Sequence, residues 1–142
     1  MIKMLWLHDF RRTEQGQAIV EMALILPILI LLIFGIVEFG RILQTYMVVT
    51  DLSREGARAG AVGKTDLEIA TVVDNDAAAV GLDTGNPDYS VTVSPGTVGP
   101  RARGTPVMVQ VRYSVDIIAP IIGNIIGDPY ILTSQTTMRV EG

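Results

Sequence analysis

From Ala18 to Val37 the chain runs for twenty residues with a single charge, Glu21. At about 1.5 Å of rise per residue, a helix of that length reaches roughly 30 Å, the thickness of a bilayer's hydrocarbon core. The run therefore predicts a membrane-inserted helix. A cleaved secretory signal is a poorer fit, because its apolar region is only about 7–15 residues long and ends in small residues. Here the apolar character continues through Phe34, Ile36, Val37 and Phe39. Lys3, Arg11 and Arg12 precede the run, and the positive-inside tendency keeps such a segment cytoplasmic. The expected topology is a single pass through the cytoplasmic (inner) membrane, with everything after Arg41 outside.

Composition narrows the function. A chain of 142 residues, 49% of them hydrophobic, has room for the span and one small further domain. The absence of cysteine removes any disulfide framework or thiolate site. A net charge of −4 with scattered Lys and Arg argues against nucleic acid as a partner. The only histidine is His8, ahead of the span. No nucleophile elbow, paired-acid arrangement or phosphate loop is present, so neither an enzyme nor a small-molecule substrate or cofactor is expected. Asp74, Asp76, Asp83 and Asp88 raise a calcium reading. The EF-hand spacing is missing, however, and they read as solvated faces and loop residues, with no metal expected.

Glu21 is the anomaly of the apolar run. An ionised carboxylate costs about 2.5–3.5 kcal/mol at the centre of a membrane helix, and less near the interface. No Lys or Arg lies between Arg12 and Arg41 to pair with it. A cut after Gly16 would create the missing cation, because the new α-amine of Gln17 would stand four residues before Glu21, one helical turn away. Glycine before the cut suits a scissile peptide that must lie extended in a protease cleft. An uncut anchor with a snorkelling glutamate is the plainer alternative.

The basic pair Arg11-Arg12, then Gly16, Gln17 and Glu21 ahead of an apolar helix, resembles the processing site of type IV prepilins. More widely, "GQAIVEMALILPILILLIFGIVEFGR" followed by "LSREGARAGAVG" resembles the TadE-like family of the tight-adherence (Flp-type) pilus machinery. The likeness covers residues 11 to 63 and is carried by Glu21, Pro27, Gly35, Glu38-Phe39-Gly40-Arg41 and Arg54-Glu55-Gly56-Ala57-Arg58. It implies a leader of residues 1–16 removed by a prepilin peptidase, a transmembrane pilin helix over 17–40, and an extracytoplasmic α/β head over 41–142. It also implies other pilins or pseudopilins as partners, and a minor pilin's role in assembly at the membrane or in an extracellular pilus. Flp-type major pilins carry tyrosine after the glutamate. Met22 at that position points to a minor rather than a bulk pilin.

The rest can be read from pattern. Pro27 lacks an N–H and predicts a bend in the helix. Glu38 and Arg41, at i,i+3, read as a surface pair marking the exit into water. Asp51, Arg54, Glu55 and Arg58 then form a polar stripe opposite Ile42, Tyr46, Val49, Ser53, Gly56 and Gly60, so the helix is expected from near Thr13 to near Val62. Ser53, Gly56 and Gly60 would form a packing face that admits a close neighbour. Thr65 with Glu68 reads as a capping box opening a second helix, with Ile69, Ala70, Val73, Ala77 and Val80 on one face and Gly81 at its end.

From Tyr89 the period becomes two. Tyr89, Val91 and Val93, then Val107 to Val115, then Leu132, Met138 and Val140 predict a three-stranded antiparallel meander covered by the two helices. The expected fold class is α+β and pilin-like. The segment "IIAPIIGNIIGDPYI", residues 117 to 131, is too broken for a regular helix; it is expected to pack beneath the head, and if exposed it would mark a subunit or membrane-surface contact. Two functions of different classes fit: a processed minor pilin or pseudopilin, or a permanently anchored extracytoplasmic binding or adhesion module.

Overall fold

The computed structural model describes residues 14–141, so Lys3, His8, Arg11 and Arg12 of the expected leader lie outside the described residues. It divides into two units, one ending at Ile36 and one beginning at Val37. Helix α1, Glu14–Ala61, supplies residues to both and has Pro27 in its interior. Among the described residues the first unit is helix alone, and Gly16 to Phe34 are all exposed. One helix among the described residues is long and apolar enough to cross a membrane, with a mean hydropathy of 2.8 over its most apolar window. Such a surface in water would be an aggregation site, so it requires lipid or other helices around it.

The second unit is α+β. After α1 come α2 (Asp66–Ala79), β1 (Ser90–Ser94), β2 (Pro106–Val115), α3 (Pro120–Ile126) and β3 (Tyr130–Arg139). The strands form an antiparallel sheet in the order β1-β2-β3, pairing Val91 with Val111 and Val109 with Thr136. The residues around α2 explain its limits. Thr65 accepts from the Glu68 N–H while Glu68 reaches back to the Thr65 N–H at 2.9 Å, satisfying amides that the first turn leaves free. Gly81 takes φ +80°, a conformation that side-chain-bearing residues rarely adopt, and the helix ends there.

Those two hydrogen bonds from Thr65, backbone first and side chain second, hold the Glu68 carboxyl below its ordinary 4.5. A depressed pKa means a contribution to stability that is present above the ordinary value and lost as pH falls through the folded one. The thermal advantage of the wild type over Glu68→Gln should therefore vanish as the pH is taken below about 4.5. Melting curves of the two chains across that range are the check.

The core lies between the last turns of α1, helix α2 and one face of the sheet. Val49, Leu52 and Ala57 meet Ile69, Val73 and Ala77 and the inward row Val107, Val109 and Val111. The reach of each buried stripe is shorter than its period implies. Tyr46 of α1 and Val80 beyond α2 fall on the expected buried faces yet are exposed. On α1 the fully buried stretch begins at Val49, and on α2 it ends at Ala77. Ser114, in register an outward residue of β2, is buried because its hydroxyl bonds Asn86 Oδ1 at 2.9 Å and its carbonyl accepts from Asn86 Nδ2 at 3.3 Å.

Segment 117–131 differs from expectation. It forms the regular, seven-residue helix α3, with Pro120 in the first turn, where a missing N–H costs nothing, and Gly127 at its C-terminal cap. Ile117 and Ala119 are buried, but Ile118, Ile121, Ile125 and Ile126 are exposed. The covering helices fill the inward sheet face with residues such as Leu52, Ala57, Ile69 and Val73, leaving these isoleucines outside the core.

Candidate processing and assembly site

Gly16, Gln17 and Glu21 all lie in the first two turns of α1 and are exposed. The four-residue spacing puts Gln17 and Glu21 on one face, where Gln17 Nε2 donates to Glu21 Oε1 at 3.0 Å. The backbone nitrogen of Gln17 belongs to the same helical turn. A free amine produced there would begin one turn from the carboxylate. The Gly16–Gln17 peptide is itself helical, so a protease needs that turn to open. A glycine weakens a helix by roughly 0.5–1 kcal/mol relative to alanine, which eases that opening. Pro27 lies in the same helix and removes one ladder donor from it.

The packing face is a close approach of backbone to side chain. A Cβ placed on Gly56 would lie 2.8 Å from both Val109 Cγ1 and Val73 Cγ2. One placed on Gly60 would lie 2.8 Å and 2.9 Å from the two methyls of Val107 and 3.2 Å from Ile69 Cδ1. Ser53 is fully buried on the same face, and its Oγ donates to the Thr50 carbonyl at 2.8 Å. A hydroxyl has one proton and two lone pairs. With that proton committed, Ser53 Oγ accepts from Thr136 at 2.8 Å and from Ser134 at 3.3 Å. Ser53 is thus a polar clasp between α1 and β3 as well as a small residue.

Glu38 overturns its reading as half of a surface pair. It is only 3% exposed. Its Oε1 accepts from Arg41 Nη2 at 2.9 Å and Nε at 3.3 Å, and its Oε2 accepts from the Ile118 N–H at 3.2 Å. Arg41 Nη2 also donates to the Asp116 carbonyl. The i,i+3 pair therefore brackets the chain entering α3. Deleting the carboxylate leaves a part-buried amide without its acceptor and frees Arg41, and Glu38→Ala should cost about 1–3 kcal/mol. A matching drop in melting temperature, with faster hydrogen exchange at Ile118, is the expected measurement.

A second bracket, absent from the sequence reading, joins the loop between β1 and β2 to α2. Arg101, with its side chain 3% exposed, pairs with Asp66 and donates to the Pro95 and Lys64 carbonyls at 3.0 and 3.3 Å. Asp66 also accepts the Thr97 N–H at 2.7 Å. Three of the four acids of the calcium reading have separate surroundings. Asp74 takes the Tyr89 hydroxyl at 2.7 Å, Asp83 the Gly85 N–H at 2.9 Å, and Asp88 stands 3.9 Å from Arg112. Burial first, then the hydrogen bond to Asp74, raises the Tyr89 phenol above its ordinary value of 10. Among the described residues no three Asp, Glu, His or Cys side chains converge as metal ligands.

No curated protein and no solved structure matches the chain. A family model does, over residues 16–58, and its description is TadE-like protein. The matched stretch opens at Gly16, contains Glu21, Pro27 and the Glu38–Arg41 bracket, and closes at Arg58, within the helix that packs on the sheet. The apolar helix within the match suggests that the chain is membrane-anchored. From Gly16 to Arg58, the chain carries the TadE-like signature.

Proposed function

We propose that this chain is a minor pilin or pseudopilin of a tight-adherence pilus, held in the cytoplasmic membrane by α1 with its N-terminus inside and its head outside. A prepilin peptidase cuts between Gly16 and Gln17. The mature helix then packs against the helices of other pilins in the pilus or its initiating complex. The observation that carries this reading is the juxtaposition of Gln17 and Glu21 at the start of a TadE-like match. The carboxylate that is costly in lipid stands one turn from where processing would create an amine.

The test is intact mass. In cells that make the whole pilus system, the chain should begin at Gln17, and Gly16→Val should leave it uncut, because valine puts a bulky side chain where glycine presents none to the peptidase cleft. A wild-type chain recovered only at full length would sink the proposal and leave the permanently anchored binding module in its place.

A further inference from the structure

We infer that α3 is a foot on the membrane surface, with Ile118, Ile121, Ile125 and Ile126 seated in the boundary between headgroups and acyl chains of the bilayer that α1 spans. The inference rests on the membrane-anchored reading and goes beyond it, since anchoring by α1 requires nothing of α3.

Three observations support it. First, the patch is large for so short a segment: Ile118 is 68% exposed, Ile121 54% and Ile125 76%. None of these isoleucines belongs to the buried core or is packed against it, and exposed apolar surface of this kind marks a contact. Second, from Ile117 to Gly127 there is no charged residue, while Asp116 and Asp128 bound the segment. Asp128 is turned to local use, accepting the Ile117 N–H at 3.0 Å.

Third, the chain itself says what covers the patch. The bracket that holds the entry to α3 is made by Glu38 and Arg41. Glu38 is the residue directly after Val37, where the twenty-residue apolar run ends. Wherever that run spans a bilayer, its end lies at the interface, and Ile118 is hydrogen-bonded to that end. Amphipathic elements at such a level bury their apolar side about 5–10 Å into the boundary region. Phe39, exposed one residue further along α1, belongs to the same level. With no Lys or Arg in the segment, the contact is apolar and should depend little on anionic lipid or salt.

The chain has no cysteine, so a single introduced one takes a label uniquely. I121C, I125C, V98C and I30C are each labelled with nitrobenzoxadiazole in the full chain and reconstituted into phosphatidylcholine vesicles. Val98 is fully exposed and reports water, while Ile30 reports the span. Labels at 121 and 125 should be blue-shifted, quenched by shallow spin-labelled lipid, and several-fold less open to an aqueous quencher than the label at 98. Adding phosphatidylglycerol should leave these values unchanged.

Quenching by water-borne reagent at 121 equal to that at 98, with the label at 30 protected, would overturn the foot and leave the anchor standing. Protection at 121 without quenching by spin-labelled lipid would assign the patch to another protein surface, a second copy included, and also overturn it. An unprotected label at 30 would remove the anchor and the foot together.

Discussion

Gly60→Leu should lower the melting temperature of the detergent-solubilised chain by the equivalent of about 1–3 kcal/mol, even though leucine is the better helix former. Two effects oppose each other. Replacing a helical glycine gains up to about 1 kcal/mol in propensity. Against this, the first added carbon already lies 2.8 Å and 2.9 Å from the methyls of Val107, closer than real contacts allow. Val107 is fully buried on the middle strand and β-branched, so it has little freedom to withdraw. Overpacking wins.

The same helix contains its own control, since a Cβ on Gly40 would meet nothing within 4 Å. Gly40→Ala should be neutral or slightly stabilising. Val107→Ala removes the clashing methyls, so in the double variant Gly60→Ala/Val107→Ala the two losses should partly cancel. A Gly60→Leu chain that melts at or above the wild type would show that the helix does not need this glycine to meet the sheet.

Glu21→Gln should abolish assembly while sparing processing. The amide keeps the shape of the side chain and can still accept from Gln17, which now donates to Glu21 Oε1 at 3.0 Å. What disappears is the charge. A charge-assisted hydrogen bond is roughly twice as strong as a neutral one, and the advantage grows in a low-dielectric setting. The new amine of Gln17, in the same chain or a neighbour, would lose its counter-charge among packed helices, where an unpaired ion is strongly unfavourable. The leader should still be cut, because Gly16 and the basic flank are unchanged. The mature chain should accumulate in the membrane and fail to co-purify with other pilins. Wild-type recovery of those pilins would refute the pairing, and loss of cleavage would move the role of Glu21 to peptidase recognition.

What could be read in advance was whatever leaves a local periodic mark. The end of α1 came within a residue, Val62 against Ala61, because the apolar run and the polar stripe share one helical period, while the expected start near Thr13 lies outside the described residues. The capping box at Thr65 and the alternation of Val107, Val109 and Val111 were legible for the same reason. Interactions between distant residues were not.

Glu38 looks like half of a solvent pair until Ile118, eighty positions away, offers it a backbone N–H. Ser53 looks merely small until Ser134 and Thr136 arrive from β3. Arg101 and Asp66 lie thirty-five positions apart, with nothing local to link them. Segment 117–131 misled for the opposite reason. Its isoleucines imply burial by composition, and only the filled inward face of the sheet shows that the core has no place for them.

The clasp at Ser53 also sets a timetable. Its two partners lie 81 and 83 residues further along the chain, and the Glu141 N–H finally bonds the Ala61 carbonyl at 2.8 Å. A chain whose head crosses a membrane behind its N-terminal helix presents the back of this domain first and the strand that locks it last. Contacts this far apart in sequence form slowly. Until residue 109 has been delivered, the glycine-lined groove at 56 and 60 stands open to any strand that fits it, Ser53 waits longer still for residue 136, and the interval before closure is when a wrong neighbour could take that place.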